Sequence, residues 1–117
     1  MTGYQQKVGK IGEDKAASYL KENGFTIVKK NFNSLYGEVD IIAEKKQILY
    51  FIEVKTRSNL NKGKPYEAVT KRKISHLLKA ANYFLLKYPH KNYRLRLGVI
   101  SILMGAKKEI EFYDDIS

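Results

Sequence analysis

The chain contains no cysteine. That removes a disulfide scaffold, a thiolate zinc site and a cysteine nucleophile at once. Proline is confined to Pro65 and Pro89, and no Pro/Ser-rich linker, internal repeat or low-complexity tract interrupts the 117 residues. Apolar runs are short, none approaching the ~20 residues that a membrane-spanning helix needs. The opening residues MTGYQQKVGKIG lack the apolar stretch of a signal peptide, so a cytoplasmic protein with no membrane association is expected. Acidic residues are scarce too, 12 against 22 lysines and arginines, which gives a net charge of +10 and a pI near 9.7.

What is present completes the picture. A hydrophobic content of 44% is enough for a packed core and excludes wholesale disorder. The length suits one domain spanning residues 1–117. Four of the acids (Glu109, Glu111, Asp114, Asp115) fall in the last nine residues, which hold no base, so residues 1–108 carry eight acids and a balance of +14. Charge of that size points to a polyanionic partner. The eight acids placed against this trend are the informative ones.

Periodicity predicts a helix from about Gly3 to Asn23, with Val8, Ile11, Ala16, Tyr19 and Leu20 on its inner stripe and Asn23-Gly24 as the stop. Strands are expected at Phe25–Phe32, Glu38–Glu44 and Ile48–Lys55, joined by turns at 33–37 and 45–47. The third is apolar on both faces through Val54 except at Glu53, as in the middle of a sheet. A polar loop from Arg57 to Lys64 leads through Pro65 to a helix at Tyr66–Tyr88, with Val69, Ile74, Leu77, Leu78, Ala81, Leu85 and Tyr88 on one stripe. Strands at Tyr93–Met104 and Glu109–Tyr113 follow. This order, αβββαββ, predicts an α/β fold in which a three-strand meander gains a parallel strand through a right-handed crossover, with helices flanking a mixed central sheet.

Chemistry concentrates on Asp40, Glu53 and Lys55. Glu53 and Lys55 are two apart on one strand, so they share a face with Leu49 and Phe51. With the hairpin turn centred on Lys46, Asp40 lies opposite Ile52, one position from Glu53. Two adjacent carboxylates repel, and burial raises the cost of their charged forms. A hard divalent cation resolves that conflict, since Mg²⁺ takes one or two carboxylates and fills its remaining positions with water and phosphate oxygens. A lysine beside them can hold a phosphate or orient water, the inventory for metal-assisted phosphodiester hydrolysis. The alternative is a structural ion-pair cluster at a sheet end.

An Asp followed by Glu-x-Lys on the second and third strands of an αβββαβ order resembles the signature of the restriction-endonuclease-like nucleases. The wider chain, about residues 5–104, resembles the YraN-type family of small bacterial proteins. The likeness rests on Gly12-Glu13, Asn23-Gly24-Phe25, Asn31, Gly37-Glu38-Val39-Asp40-Ile41-Ile42-Ala43, Phe51-Ile52-Glu53-Val54-Lys55-Thr56-Arg57, Ala68-Val69-Thr70 and Lys73. That family is similar in fold to archaeal Holliday-junction resolvases. The resemblance implies a restriction-endonuclease-like core with Asp40, Glu53 and the Val54 carbonyl on a Mg²⁺ or Mn²⁺ ion, and no small-molecule cofactor. Lys55 would meet the scissile phosphate or the attacking water. Glu13 matches an acidic residue that resolvase-like members bring from their first helix; the alternative is an exposed helix carboxylate. Glu38 is expected at a solvated strand end. The implied partner is DNA, branched by analogy with resolvases and bound by a homodimer.

Two departures stand out. Val39 replaces the proline usual before the motif aspartate, and Arg96-Leu97-Gly98 stands where family members tend to have an Arg-Phe-Asp-like sequence. Around the core motif, Arg57, Lys62, Lys64, Lys71, Arg72 and Lys73 are the candidate DNA-contacting cations, joined along the helix by His76 and Lys79; a solvated helix surface is the alternative. Gly9-Lys10-Ile11-Gly12 lacks the rest of a GxxG RNA-binding module, and Gly63-Lys64 lacks the glycine spacing of a P-loop. His76 and His90 are not spaced with carboxylates as a zinc site. A non-catalytic nucleic-acid-binding module and a protein-interaction subunit of a DNA-uptake or repair assembly are the other functional readings.

Overall fold

A computed structural model describes residues 2–57, 70–89, 92–104 and 109–116 of the protein. Helix α1 (Thr2–Glu22) is followed by strands β1 (Thr26–Ser34), β2 (Gly37–Lys45) and β3 (Ile48–Arg57), helix α2 (Lys71–Lys87), and strands β4 (Arg94–Leu103) and β5 (Glu109–Tyr113). The five strands form one mixed sheet in the order β1-β2-β3-β4-β5. Only the β3–β4 pair is parallel. The predicted meander, crossover and central β3 are all present.

The two helices cover opposite faces of the sheet. Ala16, Ala17 and Leu20 of α1 pack with Ile41, Ala43, Tyr50, Ile52, Ile100 and Ile102. Leu77, Ala80, Ala81 and Phe84 of α2 pack with Phe32, Val39, Ile42, Leu49, Phe51 and Leu97. Phe51 is fully buried and meets Phe84 edge-on, so removing its ring should cost about 3–5 kcal/mol.

Local chemistry sets the boundaries. At the end of α1 the Gly24 N–H donates to Lys21 O, and the Phe25 N–H to Leu20 O. Gly24 supplies the left-handed φ of +86°, and Leu20 and Phe25 share the core as this Schellman cap requires. Lys46 and Gln47 both have positive φ (+52° and +61°), as a tight two-residue hairpin turn demands. Thr70 is extended (φ −74°, ψ 165°) and its side chain accepts the Lys73 N–H, so α2 starts at Lys71 rather than Tyr66. Val69, Pro65 and residues 66–68 lie outside the described residues.

Three positions expected on the inner stripes face outward. Ile11, Leu78 and Tyr88 are each more than 40% exposed, while Ala17, Ala80 and Phe84 take the buried places. Each helix is rotated by roughly one residue from the apolar stripe, toward the small residues that let it approach the sheet. Gly12 shows the same economy: a Cβ there would lie 2.1 Å from Thr56 Oγ1. Among the described residues, no helix is long and apolar enough to cross a membrane.

Candidate functional site

The ladder between β2 and β3 runs from Lys45↔Ile48 to Ile41↔Ile52. The next positions along this register are Asp40 and Glu53. The two-residue turn at Lys46-Gln47 therefore brings them level, where a turn centred on Lys46 alone would put Ile52 opposite Asp40.

Asp40 also marks a break in β2. Val39 packs on the α2 face and Ile41 on the α1 face, although residues two apart in a regular strand share a face. Across from Asp40, between the pairs Lys30↔Ile41 and Phe32↔Val39, Asn31 adopts φ +55°. The break turns the Asp40 carboxylate toward β3, where Oδ2 accepts the Val54 N–H at 2.8 Å. The N–H and C=O of one strand residue project toward the same neighbour, so the Val54 carbonyl is aimed to the side that holds Asp40.

Three carboxylates from two elements converge on this point. Glu13 comes from α1, Glu38 and Asp40 from β2, and one carboxylate oxygen of each lies within 4.8 Å of the others. Burial, and then the charges of Glu13, Glu53 and Glu38, push the Asp40 carboxyl up to about 6, against the Val54 hydrogen bond that lowers it. Burial likewise raises Glu13, opposed by a hydrogen bond from the Asn31 side chain. Lys30 is tied to Asp14 at 2.8 Å on the rim, leaving no ion pair to Glu13, Glu38 or Asp40 among the described residues. A cleft of about 610 Å³ on the α1 side is lined by Gly9, Lys10, Glu13, Asp14, Lys30 and Asn31.

Glu53 has the opposite surroundings. Lys55 Nζ stands 3.2 Å from its Oε1 and Lys73 Nζ, from the first turn of α2, 3.8 Å from the same oxygen. Burial works against the Lys55 ammonium, but Lys73 and Glu53 more than offset it and hold its pKa above the usual lysine range. The Lys73 ammonium is pushed down chiefly by Lys55. A groove of about 170 Å³ on this side is lined by Tyr36, Gly37, Glu38, Glu53, Lys73, His76 and Leu77.

Of the candidate residues, Glu13, Asp40, Glu53, Val54, Lys55 and Lys73 are thus gathered around one sheet end. Lys71 and Arg72 are exposed on the same helical turn as Lys73, and Arg57 closes β3 rather than opening a loop. Lys62, Lys64 and His90 lie outside the described residues. Glu38, expected at a solvated strand end, is exposed yet belongs to the carboxylate cluster; its spacing from Asp40 was the available signal. Asn31, part of the family resemblance alone, stands opposite the break, and its side chain favours the charged form of Glu13. Gly98 is buried, and a Cβ there would meet Tyr113 O at 3.0 Å and Phe112 Cε1 at 3.1 Å. It pairs with Ile52 and would direct a side chain into the α1-side packing, away from Glu53.

Fold and site together define a restriction-endonuclease-like α/β core with a carboxylate–lysine centre at the open end of its β2–β3 hairpin. Residues 12–102 match "Uncharacterised protein family UPF0102", the YraN family, and the chain belongs to it. The match runs from Gly12 past Lys55 and so includes every member of the centre. A UPF0102 protein of Caldicellulosiruptor saccharolyticus is 41% identical over 106 residues, covering 91% of this chain and 90% of its own. One from Clostridium perfringens is 42% identical over 118 residues, covering 98% and 97%. One from Chloroherpeton thalassium is 42% identical over 104 residues, covering 89% and 81%.

Proposed function

We propose that the protein is a divalent-metal-dependent DNA endonuclease. The observation that carries this reading is the juxtaposition, at one sheet end, of three clustered carboxylates and a lysine-flanked glutamate. The donor set fits the metal: carboxylate oxygens with no sulfur or imidazole among them suit Mg²⁺ or Mn²⁺ rather than zinc. Asp40, Glu13 and Glu38 would hold the ion, with Glu53 and the Val54 carbonyl beside them. Bound there, it supplies Lewis acidity and charge neutralisation at the phosphate.

The chain's own residues do the rest. Lys55, kept protonated by Glu53, offers N–H donors to a phosphate oxygen. Lys73 reaches the same point from α2 and can exchange Glu53 for DNA. Lys71 and Arg72 extend the positive surface at a helix N-terminus, where cations are disfavoured by the helix dipole unless an anion joins them. In the reaction a water oxygen bonds to phosphorus, the bond to the leaving sugar oxygen breaks, and a proton passes from the water to that oxygen or to solvent. Analogy with resolvases extends the proposal to branched DNA bound by a homodimer, which sedimentation with and without a four-way junction would test.

The direct experiment incubates purified protein with linear, nicked, forked and four-way DNA in Mg²⁺ or Mn²⁺. Cleavage lost in Asp40→Asn and Lys55→Ala, together with Mn²⁺ binding weakened only in the first, supports the proposal. No cleavage on the whole panel with either metal rejects it. A second reading has its own support in the lysine bridges to Glu53: an ion-pair cluster that braces a non-catalytic DNA-binding module. It expects DNA affinity that falls steeply with salt and survives Asp40→Ala.

A further inference from the structure

The β1–β2 turn presents what the charged centre lacks, apolar surface held out to solvent. Leu35 is 98% exposed, the highest value among the exposed large hydrophobic residues described. Its neighbour Tyr36 is 44% exposed and lines the groove that also holds Glu53, Lys73 and His76. Turn positions ordinarily go to Gly, Asn, Asp, Pro or Ser, each for a conformational reason. Leu and Tyr have no such reason here, and Leu35 gains nothing from the core.

The turn is also braced. Ser34 Oγ donates to Gly37 O at 2.9 Å and accepts the Tyr36 N–H at 3.1 Å. Ser34↔Gly37 is the last pair of the ladder, and Gly37 takes the φ of +119° that closes it. An aromatic ring and a bare aliphatic side chain thus stand on a fixed mount beside the groove of the charged centre.

Their chemistry fits nucleobase faces. Leucine is among the side chains used as wedges between base steps, and tyrosine is a general stacking platform for bases. In a continuous duplex those faces are covered by neighbouring bases. They become available where the stack is interrupted, at a fork, a junction or a bulge. We propose that Leu35 and Tyr36 form a stacking wedge that makes the site select DNA at an interrupted step. Tyr36 receives the base beside the phosphate held by Lys55 and Lys73, and Leu35 fills the gap that the base leaves. This deepens the nuclease reading and rests on it for the identity of the phosphate.

The test compares wild type, Leu35→Ser/Tyr36→Ser and Tyr36→Phe. Binding is measured in EDTA to a continuous duplex and to a fork carrying 2-aminopurine at the branch. Wild type and Tyr36→Phe should prefer the fork by roughly tenfold, as loss of one stacking contact predicts, and should change the 2-aminopurine fluorescence. The double variant should lose both effects while keeping the wild-type melting temperature. An unchanged fork-to-duplex ratio and unchanged fluorescence in the double variant overturn the wedge. Cleavage in Mg²⁺ separates the two ideas. A wild type that cuts nothing but shows the Tyr36-dependent signal keeps the wedge and loses the nuclease. One that cuts fork and duplex alike, with or without the two side chains, keeps the nuclease and loses the wedge. Failure to bind any DNA at ~50 mM salt, where phosphate contacts are strong, removes both.

Discussion

Glu53 faces the α2 side of the sheet with Lys55 and Lys73 on one oxygen. Asp40, level with it on the neighbouring strand, has Glu13, Glu38 and Glu53 around it and a backbone N–H for a donor. The two carboxylates occupy opposite electrostatic regimes within one site. Attraction already settles the Glu53 half, whereas burial and then repulsion leave the Asp40 half in need of positive charge. A folded chain tolerates such a half only because the rest of the structure stabilises it, and strain of this kind collects at functional sites. In the proposed nuclease the contrast would give the metal to one half and the phosphate to the other.

The largest expected effect comes from emptying the phosphate half. Lys55→Ala should slow single-turnover cleavage by about 10²–10³-fold, the usual loss for one electrostatic donor. A rate within a factor of two of wild type would break the division of labour. Next comes relief of the acid half. In Asp40→Asn the amide oxygen can still accept the Val54 N–H, and the repulsion is gone. The native Asp40 pKa of about 6 lies above its ordinary 3.8, so the folded protein holds a proton that the unfolded chain releases. The associated stability is present below about pH 4 and is lost as the pH rises through about 6, up to about 2–3 kcal/mol. Urea melts in EDTA at pH 4, 6 and 8 should therefore show Asp40→Asn gaining on wild type by about that amount at the higher pH values. Parallel profiles would show that neither burial nor the neighbouring acids disfavour the Asp40 carboxylate.

Smaller effects sharpen the comparison. Gly12→Ala gains about 1 kcal/mol of helix propensity but must displace Thr56, an overpacking cost of about 1–3 kcal/mol. It should lower stability by ~1 kcal/mol and weaken Mn²⁺ binding through Glu13, and Thr56→Ala in the same chain should restore both. Lys73→Ala should leave the Glu53–Lys55 pair in place. Fluorescence anisotropy should then show DNA affinity falling a few-fold, with the salt slope reduced by about one.

Most of the architecture was legible because periodicity and turn chemistry agree with it. The Glu109–Tyr113 strand matched residue for residue, and β3 read as central from its two apolar faces. Apart from the start of α2, which falls at Lys71 and not Tyr66, what could not be read around the site was chiefly a matter of one-residue shifts. Lys46-Gln47 carries none of the glycine or asparagine that announces a left-handed hairpin turn, so the pairing of Asp40 with Glu53 was displaced by one position. Asn31 at φ +55° and the break at Asp40 leave no mark on a hydrophobic pattern, because Val39 and Ile41 are both apolar whichever face they take. The helix stripes were offset for a similar reason: alanine scores as weakly apolar, yet Ala17, Ala80 and Ala81 decide how closely each helix can approach. The spacing of Glu38 from Asp40 hinted at the cluster, but its approach to Glu13 is a contact between elements that no local spacing reveals.

The two-residue turn at Lys46-Gln47 also sets an order of events. A hairpin closes on the microsecond scale, whereas a parallel pair such as β3–β4 waits for a long crossover to fold back. Asp40 and Glu53 are therefore brought together by a local contact, before α2 can deliver Lys73 across the sheet. A hairpin closed in this order would pair Asp40 and Glu53 with Lys55 beside them, Glu13 joining with α1 and Lys73 with α2. Divalent ions and acidic pH should act on the folding limb of a chevron as well as on final stability, giving the centre a kinetic signature that exists before any substrate arrives.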